Sequence, residues 1–238
     1  MTPRYGWGAE QSPIIIKPNP LTIGSILDDI SGAMLQTEFY KAPESDSRRL
    51  MVVLHGLGDS PAGFRWLPGA LNLPWMNYLL VQAPDSYYGG FSWYDFAGDA
   101  GPGIQRSRDQ LFAVLDHYRA AGFPTESTVL FGFSQGCLMT IDVGMRYPHH
   151  FAGLVGISGY VFEPEQLLKE LSPLAKQQEM LFTHGTRDPM VPCAAVREQV
   201  KVLQGAGLQI EWREFVKEHT IEGEQELGLI RDFISKRF

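Results

Sequence analysis

The residues best suited to chemistry lie in the pentapeptide from Gly132 to Gly136, Gly-Phe-Ser-Gln-Gly. The apolar run 128–131 before it is typical of a buried strand, and the apolar residues after it recur at helical spacing. A serine in so sharp a strand-to-helix turn has a strained backbone, and glycines two positions away remove collisions with neighbouring side chains. The pattern predicts that Ser134 is an exposed nucleophile; an ordinary glycine-rich turn is the alternative.

A serine hydroxyl needs a base that takes its proton, and that base needs a partner that orients it. Of the six histidines, His219 lies in the loop between the last predicted strand and the last predicted helix. Asp188 follows another predicted strand, in an Asp-Pro turn that would hold its carboxylate rigidly. The chain order Ser134, Asp188, His219 is that of α/β-hydrolases. A surface histidine and a plain turn aspartate are the alternatives.

Acyl transfer also needs donors for the oxyanion, and two backbone amides are candidates. Leu57 stands in a glycine-rich turn, His-Gly-Leu-Gly-Asp, directly after the predicted buried strand 50–54. Gln135 begins the helix after Ser134, where a helix N-terminus favours negative charge. We therefore predict that the amides of Leu57 and Gln135 form an oxyanion hole. Taken alone, the sequence around Leu57 fits a plain strand-to-helix turn equally well, and the nearby Ser134 pentapeptide favours the functional interpretation.

The elements that must position these residues alternate between strand and helix over residues 37–238. Such alternation predicts an α/β fold with a mostly parallel central sheet and helices on both faces. The candidate residues all follow predicted strands, so they should meet at the carboxyl edge of the sheet. No large insertion follows 153–160, so no separate cap domain is expected. Residues 1–36 are predicted to be an N-terminal extension packed on the 37–238 catalytic domain.

Composition limits the function classes. The chain has 238 residues and a net charge of -7, without a basic run, which argues against a nucleic-acid partner. Its two cysteines show neither disulfide nor metal spacing. We see no signal peptide and no apolar run of transmembrane length, so we expect a cytoplasmic protein without stable membrane insertion. A homodimer is one option for its assembly.

The motifs taken together resemble the carboxylesterase / phospholipase / acyl-protein thioesterase family of α/β-hydrolases. The resemblance covers residues 38–238 and rests on the turn after residue 54, the Ser134 pentapeptide, the Ser-Trp-Tyr-Asp segment 92–95, His-Gly with Asp-Pro at 184–189, and the late His219. It implies a lidless hydrolase with a shallow acyl groove that needs neither cofactor nor metal. Its catalytic triad would be Ser134, Asp188 and His219.

The resemblance also suggests where the acyl chain binds. Trp93, Met190 and Val191 flank family-like positions and are candidate substrate-binding residues, with core packing as the alternative for each. The aromatic, glycine-rich loop 86–103 is a candidate cover for the substrate. One departure is Glu218, because glycine often precedes the histidine in this family. This charge either raises the basicity of His219 or faces solvent.

Two functions from different classes follow. The first is a serine hydrolase that cleaves small acyl substrates: short- to medium-chain carboxylic esters, thioesters or lysophospholipids. The second is a non-catalytic protein that binds a small molecule or lipid on the same fold, since fold does not fix function. A peptidase or C–C hydrolase is a third option, made less attractive by the missing cap domain.

Overall fold

A computed structural model describes residues 34–238 of the chain. Most of the predicted N-terminal extension, residues 1–33, lies outside the described residues, so its packing stays a prediction. Leu35 falls inside the predicted extension, yet it is buried in the core. The last residues of the predicted extension therefore already belong to the domain.

The elements alternate along the chain as expected. The strands are β1 Thr37–Tyr40, β2 Arg49–Leu54, β3 Met76–Val81, β4 Asp85–Tyr87, β5 Gly90–Ser92, β6 Thr128–Phe133, β7 Gly153–Ile157, β8 Glu179–Gly185 and β9 Gln209–Phe215. The α-helices are α1 Leu67–Leu71, α2 Ala100–Ala120, α3 Gln135–Arg146, α4 Pro164–Lys169, α5 Cys193–Gly205 and α6 Glu224–Ser235. Short 3₁₀ helices span Pro61–Phe64, Thr125–Ser127 and Ala175–Gln177.

Within residues 34–238, seven strands form one sheet in the order β1-β3-β2-β6-β7-β8-β9. Only β1 is antiparallel to its neighbour, and the other strands of this sheet are parallel. Their carboxyl ends therefore share one edge. The register brings Leu54 of β2 opposite Gly132 of β6, which places the loop after β2 beside the turn after β6.

The core is divided by the sheet, because successive strand residues point to opposite faces. On one face, strand residues such as Val52 and Leu130 pack with buried residues of α2 to α5. On the other face, Val53 and Phe131 pack with buried residues of α1 and α6. Both faces are thus covered by helices, which confirms the predicted α/β architecture.

Two local differences from the sequence-based expectation concern the site. Residues 85–92 form a β-hairpin, β4–β5, where a long irregular loop was expected. Strand β8 continues to Gly185, so His184 is a buried strand residue. Between β7 and β8 the chain holds only α4 and a 3₁₀ helix, so the described residues have no cap domain there.

The turn between β6 and α3 is fixed by close backbone contact. A Cβ atom at Gly132 would overlap the carbonyl of Gly136 and the hydroxyl of Thr140. A Cβ atom at Gly136 would overlap the carbonyl of Leu54, at the end of the neighbouring strand. Glycine at both positions is therefore required, in agreement with the collisions inferred from the pentapeptide.

We predict that Gly136→Ala destabilises the protein by about 1–3 kcal/mol, because the added methyl group must displace the main chain of β2. Gly69→Ala is the matched control, since nothing lies within 4 Å of a Cβ built there and the residue is inside α1. Alanine has the higher helix propensity, so the control should be neutral or slightly more stable. Urea denaturation measures both, and equal stability of the two variants would contradict the prediction.

Candidate active site

Ser134 is the single residue between β6 and α3, and its backbone is strained. Its φ of 55° and ψ of -116° lie in a region that L-residues rarely adopt. The surroundings hold it there: its amide donates to the carbonyl of Ile157 at 2.9 Å, and its own carbonyl accepts from the amides of Cys137 and Leu138. The strain is thus maintained by β7 and by the first turn of α3.

His219 and Asp188 complete a continuous hydrogen-bonded chain with Ser134. His219 Nε2 is 2.9 Å from Ser134 Oγ, and His219 Nδ1 is 2.7 Å from Asp188 Oδ2. Asp188 follows β8, and His219 follows β9. The structure therefore brings together the three residues that the sequence analysis selected, although 85 residues separate Ser134 from His219.

The carboxylate of Asp188 is fixed by its own turn. Its Oδ1 accepts from the amides of Met190 and Val191 at 2.9 and 2.8 Å, which leaves Oδ2 directed at His219. Burial alone would raise the pKa of Asp188, but these two amides and the imidazole bond hold it below its usual value. Asp188 is therefore ionised at neutral pH and acts as an acceptor only.

This charge state determines the tautomer of His219. Because Asp188 can only accept, His219 Nδ1 carries the proton of the 2.7 Å bond. In the neutral ring, Nε2 is then the lone-pair nitrogen and accepts from the hydroxyl of Ser134. The imidazole is thus oriented to remove a proton from Ser134. Glu218, the departure noted above, is exposed and faces solvent.

The two predicted oxyanion donors come from two different segments next to Ser134. Gln135 is the first residue of α3, and Leu57 lies in the turn after β2. Within residues 34–238, neither amide donates to an acceptor of the protein. A Cβ built on Gly56 would lie 3.3 Å from the Cβ of Ser134, so the Leu57 turn packs directly against the nucleophile.

His55 fixes this turn through two hydrogen bonds to main-chain atoms. It is buried, its Nε2 accepts from the amide of Ala83 at 3.1 Å, and its Nδ1 therefore carries the proton that it donates to the carbonyl of Gly56 at 2.7 Å. Burial lowers the pKa of His55, which favours this neutral form. His55 thus holds the oxyanion turn as a neutral hydrogen-bonding group.

Trp93 does not line the substrate site as predicted. Its side chain is 0% exposed, and its indole N–H donates to the carbonyl of His55 at 2.8 Å. A large aromatic with one polar atom fills such a buried position when that atom finds a partner. Trp93 therefore stabilises the turn that carries Leu57.

The other two substrate-binding candidates remain beside the triad. Met190 is 65% exposed, and Val191 is half-buried against the core. Their amides hold Asp188, so both residues lie within three positions of the triad carboxylate. Their role in binding an acyl chain stays a prediction.

Two further groups near the site were not identified from the sequence. The Gln135 side chain accepts from the amide of Trp93 at 3.0 Å and donates to the carbonyl of Tyr94 at 3.1 Å, which ties α3 to the segment after β5. Lys217 and Glu226 form an ion pair whose side chains are fully buried near His219. A lysine and a glutamate nine residues apart carry no signal of burial in the sequence alone.

The hairpin β4–β5 is attached to the oxyanion turn. Phe91 accepts from the amide of Gly58 and donates to the carbonyl of Asp59, both at 2.9 Å. Phe91 is half-buried, whereas Tyr88 at the hairpin tip is 97% exposed. The aromatic segment thus begins as an anchored hairpin beside Leu57.

Residues 34–238 contain neither a metal-type cluster nor a membrane-spanning helix. No group of three or more His, Cys, Asp or Glu side chains there is arranged to hold a metal ion. None of the helices in this range is both long and apolar enough to cross a bilayer. The cytoplasmic location stays a prediction.

Comparison with known proteins gives the family. The phospholipase/carboxylesterase family model matches residues 35–238. This chain belongs to the phospholipase/carboxylesterase family. The match confirms the family resemblance and the enzyme class expected from the motifs, a carboxylic ester hydrolase. It also confirms the α/β-hydrolase fold.

Individual relatives agree with this family. Acyl-protein thioesterase 1 of Schizosaccharomyces pombe is 31% identical over 166 residues, which cover 64% of this chain and 74% of the relative. The crystal structure of Arabidopsis thaliana SOBER1 is similar with a TM-score of 0.72 and 26% identity, covering 79% of this chain and 98% of that one. A probable inactive carboxylesterase of Oryza sativa subsp. japonica is 26% identical over 191 residues, 73% of this chain and 77% of the relative.

We predict that Asp188→Asn lowers kcat by about 10⁴-fold, because an asparagine amide can donate to Nδ1 and stabilise the tautomer with the proton on Nε2. That tautomer cannot accept the proton of Ser134. Asp46→Asn, at an exposed turn residue, is the control and should retain wild-type activity. Steady-state hydrolysis of a p-nitrophenyl ester measures both, and a decrease of less than tenfold in Asp188→Asn would refute this role.

The same carboxylate makes stability depend on pH. Its folded pKa is below the usual value, so its ionised form stabilises the fold above about pH 4, and this contribution is lost as the pH falls through the folded pKa. We expect the difference in free energy of unfolding between wild type and Asp188→Asn to be constant above about pH 5 and to narrow as the pH falls below about 4. Denaturant titrations at several pH values test this, and a difference that stays constant at the acidic end would contradict it.

Proposed function

We propose that this protein is a serine hydrolase that cleaves acyl esters through a Ser134-His219-Asp188 triad and an acyl-enzyme intermediate. The observation that carries the proposal is the continuous chain from Ser134 Oγ through both nitrogens of His219 to Asp188, with distances of 2.9 and 2.7 Å. Family membership supports ester hydrolysis in general. The assignment of roles to these residues is our inference.

The first half-reaction acylates the serine. Ser134 Oγ attacks the substrate carbonyl while His219 Nε2 takes the hydroxyl proton, and Asp188 stabilises the resulting imidazolium. The carbonyl oxygen becomes an oxyanion, which the amides of Leu57 and Gln135 would bind. Each such donor typically contributes about 10²–10³ in rate. His219 then gives its proton to the leaving oxygen or sulfur.

The second half-reaction releases the acyl group. A water molecule attacks the acyl-serine carbonyl while His219 accepts one of its protons. The bond between the acyl carbon and Ser134 Oγ then breaks, and His219 returns that proton to Ser134 Oγ. No net charge is gained by the enzyme over the cycle. The proposed cycle uses only the residues already named and includes no cofactor.

The proposed substrates are small acyl compounds of short to medium chain length. Thioesters and lysophospholipids are included because the same tetrahedral intermediate forms when the leaving atom is sulfur or a glycerol oxygen. The relative from Schizosaccharomyces pombe is named an acyl-protein thioesterase, which supports including thioesters. Met190 and Val191 would contact the acyl chain.

A binding protein without catalysis is the second candidate function. A rice relative is named as probably inactive, so similarity to the family does not by itself separate the two functions. The geometry favours the enzyme, because Ser134 keeps its strained backbone and both predicted oxyanion amides lack acceptors among the described residues. A site used only for binding has no need of this combination.

The test is hydrolysis of p-nitrophenyl esters with two to sixteen acyl carbons, together with matched thioesters. We expect wild type to be active and Ser134→Ala to lose about 10⁶-fold in kcat. Ser45→Ala, at an exposed serine, is the control and should be unaffected. A folded wild-type protein inactive on every substrate would refute the esterase proposal and favour the binding protein.

The length series also measures the acyl groove. Each methylene that the groove buries contributes about 0.8 kcal/mol, so kcat/KM should rise by about fourfold per carbon until the groove ends. A maximum at short chains would indicate a general esterase. A maximum at long chains would instead indicate lysophospholipids or acylated proteins.

A further inference from the structure

The loop that carries His219 has few main-chain hydrogen bonds to the rest of the domain, although Ile221 packs against the core and the His219 ring lies beside Phe133. It runs from Val216 to Gly223, between β9 and α6, without regular secondary structure. Among the described residues, one backbone hydrogen bond reaches this loop from another segment before His219, from the amide of Arg187 to the carbonyl of Lys217 at 3.1 Å. After His219, the next such bond lies at the start of α6, from Leu227 to Gly223. The main chain on the carboxyl side of His219 thus needs another restraint.

The buried ion pair of Lys217 and Glu226 supplies that restraint. Lys217 Nζ donates to both carboxylate oxygens of Glu226, at 2.6 and 2.8 Å, and to the carbonyl of Thr220 at 2.8 Å. Glu226 Oε2 also accepts from the amide of Glu222 at 2.6 Å. The pair therefore contacts the main chain at Thr220 and Glu222, on the carboxyl side of His219. Lys217 itself lies two residues before His219.

All donors of the ammonium group are used in these bonds. Neither side chain has any exposed surface, so water does not compete for them. Burial lowers the pKa of Lys217, while Glu226 opposes that change. A buried pair of this kind is weak support for stability, because apolar residues of similar volume often serve as well. A contribution to stability is therefore not sufficient to explain the pair.

We propose that the Lys217–Glu226 pair is a positioning device that holds His219 between Ser134 and Asp188. This inference rests on the proposed function for its kinetic readout. Lys217 and Glu226 would not touch the substrate; they act through the main chain on either side of His219. A displacement of about 1 Å at a catalytic group can cost about 10²-fold in rate.

The test compares the double variant Lys217→Met/Glu226→Leu with wild type. The variant replaces both charges with apolar groups and removes the bonds to Thr220 and Glu222. We expect a melting temperature near that of wild type, a kcat lower by about 10- to 100-fold and a KM within about twofold. Glu224→Gln is the control, because Glu224 is an exposed residue of the same helix whose ion pair with Arg231 lies at the surface.

A spectroscopic readout separates positioning from stability. The proton shared by His219 Nδ1 and Asp188 should give a low-field NMR signal in wild type and in Glu224→Gln. We expect this signal to broaden or disappear in the double variant while the protein stays folded. A double variant with wild-type kcat and an intact signal would overturn the proposal, because the pair would then contribute to folding alone.

The test also covers a double variant that does not fold and a wild type that is inactive. If the double variant does not fold, Glu226→Gln preserves the side-chain volume and is tested in its place; an unchanged kcat and NMR signal there would equally overturn the proposal. If wild type hydrolyses no ester, the proposed function fails, but the NMR comparison still shows whether the pair positions His219. The two proposals can therefore fail independently.

Discussion

The strained, positive-φ backbone of Ser134 is the constraint on which the rest of the site depends. A residue with φ of 55° between a strand and a helix persists only when its surroundings fix it. The surroundings here are β7, which accepts from its amide, α3, which leaves no room for a Cβ at Gly132, and the end of β2, which leaves none at Gly136. The parallel sheet and α3 thus supply the rigidity that the half-buried serine requires.

The groups around Ser134 are held by buried hydrogen bonds that join the turn after β2, the start of α3 and the segment after β5. Trp93 and His55 fix the turn of Leu57, and the Gln135 side chain joins α3 to the same aromatic segment. These side chains are buried, so each polar atom used here is bonded to the protein instead of water. As a result, both candidate oxyanion amides are fixed relative to the nucleophile before a substrate arrives.

Much of the site could be predicted from the sequence because its reactive residues follow strands of a parallel sheet, and such residues share one edge. Ser134, Asp188 and His219 were found in this way. Trp93 was misassigned because an aromatic residue in a glycine-rich segment gives no indication of whether it faces the core or solvent. The hairpin β4–β5 was missed because three-residue strands leave little periodicity. The Lys217–Glu226 pair was beyond prediction because burial of two charges is decided by tertiary packing.

The wide separation of the triad along the chain has a consequence for biosynthesis. His219 follows Ser134 by 85 residues, and the strand before it, β9, lies at the far edge of the sheet. At a translation rate of about 5–20 residues per second, roughly 4–17 s pass between the synthesis of Ser134 and that of His219. Throughout this interval the nascent chain carries Ser134 without the imidazole that we propose as its proton acceptor, so the proposed hydrolytic activity must await synthesis of β9 and the loop that follows it.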